Sequence, residues 1–385
     1  MGMRKKNVLI YGATGSIGDS VLSLIRKHAD QFNVVGMTCN DNIAKLSTLS
    51  DEFNTKNIGI ASYNSEFNYV KYFPEKKLFF KLEEFKELIE DSVDIIVFAI
   101  SGASILELSL DIAKSGKIIG MANKECIISL GDIIFKTAEL HNTKIVPLDS
   151  EHNSIYQILN RDNLLFESIT ITATGGPFLN KKLEYFADIK PKDAIKHPIW
   201  KMGKKISIDS ATMVNKGLEI IEAKYLFNVS IDKINVLTHP QAIIHGLVTY
   251  KDNSTISFMS HPDMRIPISS LLFPDKQVEL DDLYLNLTKI ETLNFYEIDD
   301  EKFPAIGVAK EVIRMGGLAP NGFNYINDKL VNLFIKEKIG FLDIVNFNVS
   351  TLEKYFANNS NINNPTINDI IDFNKWIDRN IYLGD

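Results

Sequence analysis

Three stretches of this chain carry residue types that chemistry needs. The first is Gly12-Ala13-Thr14-Gly15-Ser16-Ile17-Gly18, directly after the apolar run Val8-Leu9-Ile10-Tyr11. A tight glycine turn lets backbone N–H groups approach a pyrophosphate, and the start of the following helix adds about half a positive charge. A plain strand-to-helix turn has similar spacing, but a buried strand before and a helix after favour a nucleotide loop. The second stretch is Asp149-Ser150-Glu151-His152-Asn153. In an extended segment, residues i and i+2 point the same way, so Asp149 and Glu151 would project together. Two such carboxylates repel unless a cation sits between them, and a hard divalent ion, Mg²⁺ or Mn²⁺, suits oxygen ligands. Taken alone, the pair reads as readily as a helix start, with Asp149 or Ser150 as the cap and Glu151 in the first turn. The third stretch runs from His197-Pro198-Ile199-Trp200 through Gly203-Lys204-Lys205 to Ser210, Asn215, Lys216, Glu219 and Glu222. Ser, Asn and Lys are the types that grip a phosphate or hydroxyls. Each alone could lie on a solvated helix face, and Trp200 alone could be core. Their clustering is what favours a binding role.

These residues need a scaffold. Over the first 150 residues, short β-rich runs alternate with helical spacing. Strands are expected at Asn7–Tyr11, Asn33–Met37, Ile58–Ala61, Val93–Ile100, Lys117–Met121 and Lys144–Pro147, with a helix over Ser20–Ala29. That alternation implies a parallel sheet covered by helices on both faces. Beyond Asp149 the pattern changes. Strands are expected at Glu167–Ala173 and Ser257–Met259, separated by a polar, irregular stretch from Leu179 to Lys205 that reads as a functional lid. Residues 276–300 read as a connection, and the chain from Lys302 onward as helical, with an Asn-rich break at Asn358–Asn364. There are no internal repeats.

Composition removes whole classes of function. The chain has 385 residues, 45% hydrophobic and 24% charged, with a net charge of −7. Such a chain is neither disordered nor a general binder of nucleic acid or anionic membranes. Cys39 and Cys126, the only cysteines, form no zinc spacing and no disulfide framework, so a reducing, cytoplasmic setting is expected. No run reaches the length of a membrane span. The basic start Met1–Lys6 precedes an apolar run too short for a secretion signal, and Met1-Gly2 opens no myristoylation motif.

With these residues in place, the sequence resembles the 1-deoxy-D-xylulose 5-phosphate reductoisomerase family. The matching stretches are Gly12–Gly18, Ala122-Asn123-Lys124-Glu125, Pro147–Asn153, Gly175-Gly176-Pro177-Phe178, His197–Glu222, His239-Pro240-Gln241 with Ile244-His245, and Pro262–Arg265 with Pro267-Ile268. They keep the family's order over almost the whole chain. The match weakens in the C-terminal helical region, around Asn324–Asp328. The resemblance implies an α/β fold with a Rossmann-like NADPH domain over 1–149. It further implies a central α+β catalytic domain over 150–275 with a lid at about 180–205, a linker over 276–300, and a helical domain over 301–385. It also implies a homodimer.

By the same resemblance, Asp149, Glu151 and Glu219 hold Mg²⁺ or Mn²⁺. Ser150, Glu151, Lys124, Thr174, His197, Ser210, Asn215, Lys216 and Glu219 bind a sugar phosphate. Thr14, Gly15, Ser16, Ile17, Asn42, Asn123, Glu125 and Gly203 contact NADPH, and Trp200 and Met202 lie on the lid. Catalysis falls to Glu151, Asp149, Glu219 and Lys124. The implied reaction rearranges 1-deoxy-D-xylulose 5-phosphate by retro-aldol cleavage and aldol rejoining. Hydride from NADPH then reduces the branched aldehyde to 2-C-methyl-D-erythritol 4-phosphate.

Two positions depart from the family. Thr174 stands where Ser is usual; it keeps the hydroxyl but restricts its rotamer. Asp41 stands where a basic residue is common. An acidic residue near the end of the second strand suits the ribose 2′-OH of NAD, while Lys45, one turn later, could meet a 2′-phosphate. Two other readings stay open on the sequence. A simple NAD(P) dehydrogenase of the homoserine or aldose type would need no metal, and a nucleotide-sensing protein would bind NADPH without turnover.

Overall fold

The computed structural model describes residues 4–100, 105–161, 165–200 and 202–381. Met1-Gly2 and Lys201 lie outside the described residues.

The first part of the chain runs β1 (Lys6–Tyr11), α1 (Ser16–Lys27), β2 (Phe32–Cys39), α2 (Ile43–Glu52), β3 (Asn57–Ile60), β4 (Lys77–Phe79), α3 (Lys86–Ser92), β5 (Ile95–Phe98), α4 (Leu106–Ala113) and β6 (Ile118–Met121). It continues with α5 (Lys124–Leu130), α6 (Asp132–Leu140), β7 (Lys144–Pro147), α7 (Ser150–Leu159), β8 (Phe166–Ala173), α8 (Pro191–Ala194), α9 (Lys204–Ala211) and α10 (Val214–Phe227). The rest is β9 (Ile234–Thr238), β10 (Ile244–Tyr250), β11 (Thr255–Met259), α11 (Arg265–Leu272), α12 (Leu287–Ile290), α13 (Ala305–Met315), α14 (Ala319–Ile335), α15 (Asp343–Phe356) and α16 (Ile367–Asn380).

The chain forms two compact units, each discontinuous in sequence. The first comprises residues 1–123, 132–153 and 263–280. Its seven-stranded parallel sheet has the order β4-β3-β2-β1-β5-β6-β7. The order reverses between β1 and β5, where the crevice of a doubly wound sheet opens at the carboxyl ends of its strands. β1 and β5 sit in the middle, and Val8–Tyr11 and Ile95–Phe98 are all fully buried. Helices cover both faces, so a continuous apolar run replaces the alternation of a half-exposed strand. α11 joins this unit from far along the chain. Phe273 at its end meets His28 and Phe32 edge-on, with ring centroids 4.9 and 5.2 Å apart.

The second unit comprises residues 124–131, 154–262 and 281–385. Its four-stranded sheet has the order β11-β10-β8-β9, parallel only between β8 and β9. An aromatic cluster of Phe178, Phe186, Phe303, Phe334 and Phe341 fills its core. Each buried ring of this size contributes about 1.5–3 kcal/mol from area removed from water. α5 packs against α10 and α14, and α10 against α13.

Several expectations need correction. The Asp149–Asn153 segment is not extended: α7 starts at Ser150. The first helix starts at Ser16, on the glycine turn itself. The stretch 179–205 is not irregular throughout. It forms a 3₁₀ helix over Leu183–Asp188, then α8, and it is anchored by Phe186, Ile189 and Ala194, all buried. Strands β4, β9 and β10 were not expected.

Candidate active site

In the first unit, the turn after β1 is built on glycines with no alternative. Gly12 has φ +89°, and a Cβ there would lie 2.5 Å from the Ala99 carbonyl oxygen beyond β5. A Cβ at Gly18 would lie 2.4 Å from the Ala13 oxygen. The turn is held by Thr38, whose Oγ1 accepts from Gly12 N–H at 3.0 Å and whose carbonyl accepts from Ala13 N–H at 2.8 Å. α1 then begins at Ser16 with Gly15 as its cap and no side chain on its first N–H groups. A helix start of this kind is a ready anion site. Thr14 and Ile17 are half-buried, and Gly15 and Ser16 are exposed. Asn42 caps α2, its Oδ1 accepting from Lys45 N–H at 3.3 Å. Asn123 is buried and donates to the Ile100 carbonyl at 2.7 Å.

The same unit holds Asp149 and Glu151. Asp149 Oδ1 accepts from Glu151 N–H at 3.3 Å and lies 3.8 Å from Nδ1 of the buried His152. An oxygen of Asp149 and one of Glu151 come within 4.8 Å of each other. They converge because one caps the helix and the other stands in its first turn, not because a strand alternates. Ser150 Oγ donates to Glu151 at 2.6 Å. Asn153 fixes this turn, donating to the Pro147 carbonyl and to Ser270 Oγ of α11, both at 2.8 Å.

The second unit brings together the side-chain donors. α9 and α10 are separated by a sharp break at Thr212-Met213, where Met213 takes the left-handed conformation with φ +60°. Beyond the break, Asn215 and Lys216 lie one turn before Glu219, the spacing at which helix side chains meet. Asn215 Nδ2 and Lys216 Nζ both donate to the Glu219 carboxylate. Lys124, at the start of α5, donates to Asn215 Oδ1 at 2.7 Å and lies 3.7 Å from Glu219. Lys216 and Glu219 are almost wholly buried. Two ammonium groups and an amide therefore surround a buried carboxylate.

Thr174 follows β8 on the Gly175-Gly176 turn, and both glycines have positive φ. A Cβ at Gly176 would come within 3.1 Å of the Ser210 carbonyl oxygen, so the turn lies close against the end of α9. His197 Nδ1 accepts from the N–H groups of Ile199 and Trp200 at 3.2 and 2.9 Å. That fixes the proton on Nε2, which lies 3.1 Å from Thr174 Oγ1. Thr174 Oγ1 also accepts from Gly176 N–H at 3.3 Å. With its oxygen accepting twice, the hydroxyl proton is directed at a further acceptor.

Gly203 caps α9, and a Cβ there would meet nothing within 4 Å. Glu125 lies 3.9 Å from Lys205, which also pairs with Asp209 at 2.9 Å. The other Asp209 oxygen accepts from Asn327 of α14 at 2.7 Å. Burial opposes the charge on Lys205, but Asp209 and Glu125 outweigh it and hold its pKa above the usual lysine range. Lys205, Asp209, Asn327 and Asn153 are supporting residues that sequence reasoning did not single out. Lys205 and Asp209 stand one turn apart on α9, but Asp209 meets Asn327 across 118 residues and Asn153 meets Ser270 across 117, so spacing carried no signal of those contacts.

Comparison with known proteins decides the family. Residues 8–131 match the 1-deoxy-D-xylulose 5-phosphate reductoisomerase family. Residues 145–227 match that enzyme's C-terminal domain, and residues 259–380 a further DXP reductoisomerase C-terminal domain. The reductoisomerase of Chlamydia felis is 38% identical over 353 residues, covering 91% of this chain and 93% of the relative. This chain belongs to the 1-deoxy-D-xylulose 5-phosphate reductoisomerase family. The reductoisomerase of a Wolbachia of Drosophila simulans is 39% identical, covering 95% of this chain and 94% of its own length. Among solved structures, the reductoisomerase of Zymomonas mobilis in complex with NADPH has a TM-score of 0.88 at 35% identity, covering 97% of each chain. A DOX-P reductoisomerase in complex with NADPH, fosmidomycin and magnesium has a TM-score of 0.89 at 34% identity, again covering 97% of each. The reductoisomerase family thus accounts for the N-terminal parallel sheet, the second sheet and the C-terminal helices. No helix among the described residues is long and apolar enough to cross a membrane.

Proposed function

We propose that this chain carries out the NADPH- and divalent-metal-dependent rearrangement and reduction of 1-deoxy-D-xylulose 5-phosphate to 2-C-methyl-D-erythritol 4-phosphate, a step toward isoprenoid precursors. The observation that carries this is the group in which Lys124, Asn215 and Lys216 converge on the buried Glu219. A buried carboxylate beside two lysines and an amide suits a site that holds a divalent ion and an anionic substrate.

The residues fit the groups the reaction needs. The glycine turn admits no Cβ at Gly12 or Gly18, and the uncapped start of α1 offers N–H groups to a dinucleotide pyrophosphate. Thr14, Gly15, Ser16, Ile17, Asn42, Asn123, Glu125 and Gly203 are assigned to NADPH. Gly203 has no neighbour that requires a glycine, and close approach of a coenzyme supplies a reason. Asp149, Glu151 and Glu219 are all-oxygen ligands suited to Mg²⁺, with Mn²⁺ as an alternative. A divalent ion held there supplies Lewis acidity to the carbonyl and hydroxyl oxygens of the substrate.

The chain's own residues do the rest. Thr174, His197, Ser210, Asn215 and Lys216 bind the phosphate, with the Thr174 hydroxyl donating and His197 fixed as the Nε2–H tautomer. Ser150 and Lys124 orient the sugar hydroxyls. Phosphate binding supplies remote energy that is realised in the transition state. The lid of about 180–205, carrying Trp200 and Met202 and anchored by the buried Phe186, closes over the substrate and excludes water. The functional division follows the family: coenzyme binding over 1–149, catalysis over 150–275 and a helical part over 301–385. The enzyme works in the cytoplasm as a homodimer, and sedimentation showing only monomer at micromolar concentration overturns the latter.

The test is loss of NADPH absorbance with 1-deoxy-D-xylulose 5-phosphate, with Mg²⁺ and with EDTA. Oxidation needing both sugar phosphate and metal supports the proposal. Oxidation indifferent to EDTA supports the plain dehydrogenase instead.

A further inference from the structure

We propose that the coenzyme site of this chain discriminates weakly between NADPH and NADH, because the ribose end of the site carries an acidic residue and Lys45, the basic residue one turn on, is already engaged. The inference rests on the reading of the first unit as a coenzyme site.

The argument starts at the end of β2. In a doubly wound sheet, the residue just past the second strand meets the adenosine ribose at its 2′ position. Here that place is taken by Asn40-Asp41-Asn42. Asn40 Oδ1 accepts from Ser62 Oγ at 2.7 Å, and Asn42 caps α2. Both amides thus serve the local fold. All three residues are exposed, and Asp41 is the charged one of them. Its charge is felt inside the strand end: burial, with Asp41 adding to it, pushes the Cys39 thiol up to about 12.

The cation on this edge is Lys45. Its Nζ donates to the Thr14 carbonyl of the glycine turn at 2.9 Å and to Asp19 of α1 at 2.7 Å. It braces the turn against the first helix. Asp19, Asp41 and Lys45 sum to one negative charge before any coenzyme arrives. The turn and the start of α1 serve the pyrophosphate, which both coenzymes share. Only the 2′ substituent differs. NADH presents a hydroxyl that can donate to the Asp41 carboxylate. NADPH presents a phosphate of charge about −1.5 to −2 to the same carboxylate. At solvent-exposed dielectric, that repulsion offsets contacts to the 2′-phosphate by roughly tenfold in affinity.

The test measures equilibrium binding rather than turnover. NADPH and NADH are titrated separately into the protein without sugar phosphate, and their fluorescence on binding gives each Kd. The expected result is a ratio of Kd values below about thirty, with Asp41→Arg moving it toward NADPH by about tenfold or more. Lys45→Gln should weaken both coenzymes alike, because it loosens a turn they share. A ratio above thirty in the unmodified protein overturns the inference and leaves the proposed function standing. So does a Lys45→Gln variant that loses NADPH affinity while keeping NADH affinity, since Lys45 would then be the 2′-phosphate anchor. Failure of both coenzymes to bind overturns the proposed function, and this inference with it.

Discussion

The glycine turn of the first unit and the α9–α10 break of the second, proposed to serve coenzyme and sugar phosphate, are built from different material. The glycine turn uses backbone. Its donors are N–H groups, its shape is set by Gly12 and Gly18, and Thr38 holds it from the neighbouring strand. The α9–α10 break uses side chains. Met213 in the left-handed conformation starts α10, and helix spacing along α10 brings Asn215 and Lys216 to Glu219 one turn later, with Lys124 supplied by α5. A backbone site tolerates any outward side chain but no added Cβ at its glycines. A side-chain site tolerates backbone shifts but no change in the charges it balances. The consequences of substitution should differ accordingly.

The largest expected effect is on the carboxylates. Glu151→Gln should lower kcat by about a thousandfold or more, the scale of lost electrostatic stabilisation, while the melting temperature stays close to that of the parent. Steady-state kinetics beside a thermal melt reads both, and unchanged turnover removes Glu151 from the mechanism.

Next comes Lys216→Met, which leaves the Glu219 carboxylate buried beside one fewer cation. Breaking a buried pair on one side costs about 3–5 kcal/mol, so this variant should lose stability as well as sugar phosphate affinity. Denaturant unfolding and KM check the two parts. If only KM moves, the pair is more solvated than its burial implies.

Gly18→Ala should sharpen the contrast. The added methyl meets the Ala13 carbonyl, and overpacking of this kind costs about 1–3 kcal/mol. Coenzyme Kd should rise while binding of the sugar phosphate, measured separately, changes little.

A smaller effect is expected at Lys205. Its folded pKa is raised, so the stability it contributes is present below the unfolded lysine pKa and is lost as pH rises through the folded value. Melting temperatures taken from neutral to strongly alkaline pH should fall in the parent and flatten in Lys205→Met. Equal slopes would show that Asp209 holds α9 without it.

The smallest effect is at Thr174. Thr174→Ser keeps both accepted hydrogen bonds and the outward proton, so KM should stay within about twofold, whereas Thr174→Val loses a hydrogen bond to a charged group, about tenfold in KM. A serine variant as impaired as valine would place the methyl, not the hydroxyl, in contact with substrate.

The contrast also explains what the sequence could and could not reveal. The glycine turn was legible because backbone geometry leaves residue types behind: only glycine fits, and an apolar strand must precede it. β7 was found at its full extent, Lys144–Pro147, and the buried strand β5 was found with its ends overrun. The helices beyond Lys302 and the break before α16 were also legible, since each helix carries an apolar stripe. β4 was missed because three residues carry no period. β9 and β10 were missed because short apolar runs do not separate strand from helix, and their pairing with β8 is set by contacts far apart in sequence. The Asp149–Glu151 pair reads on the sequence either as an extended pair or as a helix start, and the structure takes the helix start. The side-chain group at Glu219 was recognisable by resemblance more than by spacing. Its fourth member, Lys124, comes from a helix 91 residues before Asn215.

One measurement addresses the account most directly. Incubation of carbon-13-labelled 1-deoxy-D-xylulose 5-phosphate with the protein, NADPH and Mg²⁺, followed by NMR, reports both reduction and carbon connectivity. The account predicts a branched 2-C-methyl-D-erythritol 4-phosphate, with none formed in EDTA. A linear polyol phosphate, its carbonyl reduced in place with the skeleton intact, would contradict it.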